Sequence, residues 1–124
     1  MVRKETMRVR TKMGGSGIGE CYVYDIVGLD DLLGHGRLFA KIVIPPGSSI
    51  GHHTHIKETE PYYILSGEGD YTDADGSVVK VHAGDICTID VGESHAIVNN
   101  GTEDLVLIVL VYNGEPVEYH GSTI

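Results

Sequence analysis

The sequence has no tryptophan, one phenylalanine and two cysteines. Cys21 and Cys87 form no C-x-x-C pair and no disulfide framework, so two buried free thiols are expected. Basic side chains are scarce: 9 Lys and Arg stand against 18 Asp and Glu, for a net charge of -9. That balance argues against nucleic acid as a partner. Arg3, Lys4, Arg8, Arg10 and Lys12 crowd the first twelve positions, which leaves only Arg37, Lys41, Lys57 and Lys80 for the rest of the chain. No apolar run approaches the ~20 residues of a membrane helix, so no membrane partner is expected. The charged N-terminus has no apolar core after it, which makes a secretory leader unexpected and a cytoplasmic location the expectation.

What the chain does have is glycine, 17 in 124 residues, between short apolar stretches. One domain is the natural expectation at this length. Residues 1–17 read as an arm or edge strand ending in the flexible break Gly14-Gly15-Ser16-Gly17, and residues 18–124 as one barrel domain. Alternation marks strands at 21–27 and 37–44, the second with Leu38, Ala40, Ile42 and Ile44 on one face. Residues 29–34 could hold one helical turn ended by Gly34. Residues 71–81 read as a hairpin around Asp73-Ala74-Asp75-Gly76. Short strands are expected at 86–90 and 95–98, and 105–111 reads as a strand buried on both faces. The tail from Asn113 shows no pattern. Turns every eight to twelve residues argue for an all-β sandwich or barrel.

Chemistry concentrates in two stretches. In a strand, His53 and His55 project to the same face, with Thr54 turned away, and two imidazoles on one face are a ready pair of metal ligands. Glu60 follows Ile56-Lys57-Glu58-Thr59, polar enough for a turn, so it could face back across an antiparallel pair. His95 reaches them only through tertiary folding. Singly, each of these residues is more often a surface or hydrogen-bonded group than a ligand.

The spacing resembles the paired motifs of the cupin superfamily. The first motif reads Gly47, five residues, His53-Thr54-His55, four residues, Glu60, six residues, Gly67. The second reads Gly84, five residues, Asp90-Val91-Gly92, two residues, His95, three residues, Asn99. Asp90 departs from the family's usual proline, a turn position and not a ligand. The resemblance implies a double-stranded β-helix, or jelly-roll barrel, with motif 1 at 47–67 and motif 2 at 84–99. It implies that His53, His55, Glu60 and His95 hold one divalent transition metal. Manganese, iron, nickel, cobalt, copper and zinc all suit this mixed donor set, with manganese or iron favoured. It also implies a homodimer, with residues 105–111 and the N-terminal arm as candidate contact segments.

The resemblance implies a range of activities. A metal-dependent enzyme acting on a small carboxylate or dicarbonyl ligand, by dioxygenase or oxalate-decarboxylase-like chemistry, is the leading expectation. The alternatives are a non-catalytic small-molecule-binding module, a sugar isomerase, which would want more cations for phosphate, and a structural protein of the seed-storage kind. Tyr62, two residues after Glu60 on the same strand face, is the candidate catalytic residue as hydrogen-bond donor or acid; the competing role is a core tyrosine. Tyr63 is expected to pack, Asn99 to serve a turn, and His35, His52, His82 and His120 to lie outside the ligand set.

Overall fold

Strand formation follows alternation most plainly in the central sheet. In a computed structural model, which describes residues 1–118 and 121, the strand Gly36–Ile44 (β3) buries Ala40, Ile42 and Ile44 completely and turns Phe39, Lys41 and Val43 outward. The preceding strands are Met7–Thr11 (β1) and Glu20–Val27 (β2). After β3 come Ser49–Thr54 (β4), Glu58–Thr59 (β5), Tyr62–Ser66 (β6), Glu68–Thr72 (β7) and Val78–His82 (β8). Ile86–Cys87 (β9), Ser94–Val98 (β10) and Leu105–Asn113 (β11) complete the set among the described residues.

The strands form two antiparallel sheets. One runs β1-β2-β3-β11-β6-β9, with β5 paired to the end of β11; the other runs β4-β10-β7-β8. Their inner faces share one apolar core that includes Val23, Ile42, Ile64, Ile97, Leu107 and Val109. This all-β, two-sheet jelly roll is the architecture expected above. Among the described residues no helix is long and apolar enough to cross a membrane.

Several local expectations need correction. β11 is not buried on both faces: Leu105, Leu107, Val109 and Val111 are fully buried, whereas Val106, Ile108 and Leu110 are half-buried. Its other face lies on the outside of the sheet, and the apolar run reflects an outer face that is itself apolar. The strand expected at 86–90 stops at Cys87. Beyond it the backbone turns to side-chain partners: the Thr59 hydroxyl donates to the Ile89 carbonyl, and the Asp90 N–H donates to Glu93. The turn expected over 56–59 is confined to Ile56-Lys57, where Lys57 takes φ 59°, and Glu58–Thr59 pairs with Tyr112 and Asn113. The helical turn is a 3-10 turn at Asp30–Leu32, and Leu33, at φ 56°, leaves it before Gly34 is reached.

The N-terminal segment folds onto the barrel. β1 pairs with β2 from Met7↔Tyr24 to Thr11↔Glu20. The glycine-rich break lies along β4: Gly51 N–H donates to the Met13 carbonyl and Ser49 N–H to that of Ile18. Gly14 is required there, because at φ 74° a Cβ would lie 2.7 Å from the Gly51 oxygen and 2.9 Å from His53 Nδ1.

Candidate metal centre

The four motif residues meet at one point inside the barrel. β4 and β10 pair so that His53 and His95 are direct cross-strand neighbours. Between that pair and Ile50↔Ile97, β4 advances three residues while β10 advances two. This bulge lets His52 point outward to solvent while His53 points in. His55 lies one residue past β4, pinned by its N–H to the Glu93 carbonyl and by Gly92 N–H to its own carbonyl. Glu60 sits between β5 and β6 and reaches in from the opposite sheet.

The inward atoms are His53 Nε2, His55 Nε2, His95 Nε2 and Glu60 Oε1. The carboxylate oxygen lies 3.1, 2.8 and 2.9 Å from those three nitrogens in that order. His53 Nε2 and His95 Nε2 are 3.2 Å apart. His95, His55 and Glu60 are buried, at 0%, 1% and 5% exposure, and His53 is partly open to solvent.

Each imidazole is held from behind. His53 Nδ1 contacts the Gly51 carbonyl at 2.6 Å, His55 Nδ1 the Glu58 carboxylate at 2.9 Å, and His95 Nδ1 the Tyr71 hydroxyl at 2.8 Å. The Gly51 carbonyl and the Glu58 carboxylate only accept, so Nδ1 of His53 and His55 carries the proton. In the neutral rings Nε2 is then bare and faces another acceptor, Glu60. Bare nitrogens crowding a carboxylate repel unless the rings take up further protons or a cation sits among them.

Added protons relieve part of that crowding. Where the rings carry a proton on Nε2, hydrogen bonds donated from His53, His55 and His95 outweigh the upward push of burial and hold the Glu60 carboxyl far below its usual range. Burial lowers His55, but the facing carboxylates of Glu60 and Glu58 outweigh it and raise that ring overall. Burial dominates at His95 and favours its neutral form. One anion and three imidazoles with Nε2 turned inward are a donor set for a divalent transition metal. The spacing also fits, since two nitrogens bound side by side at ~2.1 Å to one ion lie roughly 3 Å apart. The four donor atoms, all within 4.8 Å of one another, could hold a metal ion.

Tyr62 is completely buried in the core beside the cluster. Its ring stacks on His95 at 4.9 Å between centroids, and its hydroxyl lies 3.5 Å from His95 Nε2. Burial, reinforced by Glu60, pushes this phenol well above its ordinary value. Tyr63 points to the outer face. Asn99 is a buried turn residue: its amide donates to the Ile44 and Glu103 carbonyls and its oxygen accepts from Gly101 N–H. Asp90 opens a turn in which its own N–H is used by Glu93 Oε1, a bond that a proline there would forfeit. His35, His52 and His82 are exposed and apart from the cluster. His120 lies outside the described residues.

Sequence reasoning missed Tyr71, Glu58 and Arg37. Tyr71 is visible only through register, as the partner of Ile97 across β7 and β10. Glu58 stands within the histidine-rich stretch, but no parity rule places it behind His55. Arg37 forms a forked ion pair with Glu58 from the start of β3.

A two-sheet β-barrel with three histidines and a glutamate converging inside it defines a class of metal-site barrels. The chain belongs to the cupin family: the Cupin domain model matches residues 40–112. It is 41% identical over 104 residues to an oxalate-binding protein of Thermotoga maritima, covering 84% of each chain. A crystal structure from Thermotoga maritima, described as a predicted oxalate decarboxylase, superposes with a TM-score of 0.84 at 40% identity, over 91% of this chain and 98% of that one. The polyketide cyclase RemF of Streptomyces resistomycificus shares the fold at 18% identity and TM-score 0.69, over 95% of this chain and 89% of its own.

Proposed function

We propose that this cupin holds a divalent metal, manganese or iron, on His53, His55, Glu60 and His95, and uses it to bind a small dicarboxylate of the oxalate type. The observation that carries the reading is the convergence of three inward imidazole Nε2 atoms on Glu60 Oε1, with each ring fixed from its far side. A divalent ion with one carboxylate and three neutral imidazoles leaves a net positive centre inside a chain of net charge -9. Four protein donors leave room in a six-coordinate shell, where a chelating dianion would supply two oxygens. The oxalate-binding relative from Thermotoga maritima supports the same ligand class. Calorimetry with oxalate tests it: binding by metal-loaded protein and none by stripped protein is expected. Equal binding by both would refute it.

Turnover is the second reading, favoured by Tyr62. Cleaving oxalate to carbon dioxide and formate consumes one proton, and the Tyr62 hydroxyl, held in its protonated form by burial, is a donor placed beside the metal-facing nitrogen of His95. Carbon dioxide release, abolished by Tyr62→Phe, would support it, whereas oxygen uptake would indicate dioxygenase chemistry. The sugar-phosphate alternative is weak, because three of the four basic residues beyond the arm are already in ion pairs: Arg37 with Glu58, Lys41 with Glu5, and Lys80 with Asp70.

We further assign a homodimer to the outer face of the larger sheet. Both edges of β11 are already paired, so residues 105–111 can offer only a face. Val106, Ile108 and Leu110 share that face with Tyr22, Phe39 and Tyr63. Its central cation, Lys41, is paired with Glu5 and sits over the Tyr24 ring. Two copies of an acidic chain meet there without repulsion, and a copy offers the matching sheet twist. The buried free thiols Cys21 and Cys87 suit a reducing compartment, in keeping with a cytoplasmic protein.

A further inference from the structure

We propose that Glu58, clamped by Arg37, is a positioning residue for the metal centre: it fixes the His55 ring with Nε2 inward, and Arg37 holds the Glu58 carboxylate against that ring. The inference rests on the metal-binding reading above and deepens it, because it names what sets the site's affinity.

The three rings are supported unequally. His53 and His95 lean on neutral groups, a carbonyl and a phenol, whereas His55 leans on a carboxylate. A ring N–H donated to an anion makes the opposite nitrogen a stronger donor. His55 is also the ligand that most needs holding, since it lies beyond the end of β4 and next to the strained Ile56-Lys57 turn, with Lys57 at φ 59°. Glu58 comes three residues later, on the short strand β5 that pairs with β11, so it works from a fixed base.

The same carboxylate needs a support of its own. Glu58 is only two residues from Glu60, and Glu58 Oε1 approaches the His55 ring as closely as Glu60 Oε1 does from the other side. A free glutamate there would turn to solvent and release the ring. Arg37 prevents this with a fork: its Nε lies 2.9 Å from Glu58 Oε2, and its terminal nitrogen 2.6 Å from Oε1. The guanidinium sits at the surface on β3, a strand that supplies no metal ligand. A line of charge-assisted contacts thus runs from the protein surface to a buried donor atom.

Metal titration with manganese separates the possibilities. Glu58→Ala is expected to weaken metal binding by roughly 10- to 100-fold, the usual effect of removing such a support. Glu58→Gln, whose amide oxygen still accepts from His55 Nδ1, should recover much of that loss. Arg37→Ala should weaken binding less, and should add nothing in the Glu58→Ala background, because Arg37 acts only through Glu58. Nitrogen NMR of the apo-protein, at a pH high enough for the ring to be neutral, should show the His55 Nδ1 proton shifting toward Nε2 in Glu58→Ala and staying in Glu58→Gln. Unchanged metal affinity in Glu58→Ala, with binding still abolished by His55→Ala, would overturn this proposal and spare the metal site. Additive losses from Arg37→Ala and Glu58→Ala would overturn the relay. Metal content indifferent to His55→Ala would instead overturn the reading on which the proposal rests.

Discussion

Replacing Tyr71 by phenylalanine isolates one hydrogen bond. The hydroxyl lies 2.8 Å from His95 Nδ1. Tyr71 is 3% exposed and His95 0%, so bulk water has little access to take the hydroxyl's place. The phenyl ring keeps the packing, including the edge contact with Tyr62 at 6.1 Å. With Nε2 on a metal, the His95 proton sits on Nδ1 and is left buried without an acceptor, which costs about 1–3 kcal/mol. For a chain of this size that is a fall in Tm of roughly 3–12 °C. The apo-protein has a way out, since His95 can move its proton to Nε2 and donate to Glu60. That escape removes the metal-facing lone pair, so the loss reappears as metal affinity weakened by about 10- to 100-fold. Scanning calorimetry of stripped and loaded protein would show this trade: a modest deficit in the apo form and a larger one in the metal form. Equal Tm and equal metal affinity in wild type and Tyr71→Phe would refute the proposed role of Tyr71.

Gly14→Ala should destabilise the protein by about 1–3 kcal/mol and weaken metal binding, since the new Cβ crowds both the Gly51 oxygen and His53 Nδ1 at a left-handed φ; thermal melts and metal titration check it. Ile108→Glu, in the middle of the outer face of β11, should shift the sedimentation profile to the monomer and leave metal content unchanged. The pairing of β1 should loosen in acid. A hydrogen bond from Arg8 outweighs burial and holds Asp25 below its usual 3.8. A depressed carboxyl contributes stability above its unfolded value and loses it as pH falls through the folded one. Hydrogen exchange at Met7–Thr11, corrected for intrinsic rates, should therefore show faster opening near pH 3 than at pH 6. Asp25→Asn should remove that difference, which is no more than about 0.5 kcal/mol for so exposed a pair.

The parts of this molecule legible in its sequence are those governed by local periodicity or by fixed spacing. Alternation in β3 marked the buried Ala40, Ile42 and Ile44, and motif spacing singled out the residues that now share one cluster. What escaped depends on contacts between distant segments. The burial of β11 depends on what covers the outer face, which its own apolar run does not reveal. β9 ended early because Thr59 and Glu93 took over its backbone groups. Tyr71 and Arg37 reach the site from β7 and β3, and only sheet register brings them there.

The most direct test is metal content by elemental analysis after exposure to manganese and gel filtration. Wild type and His52→Ala, whose ring points to solvent, should retain about one ion per chain, whereas His53→Ala and His95→Ala should retain almost none. Equal metal in all four proteins would contradict the assignment of the site.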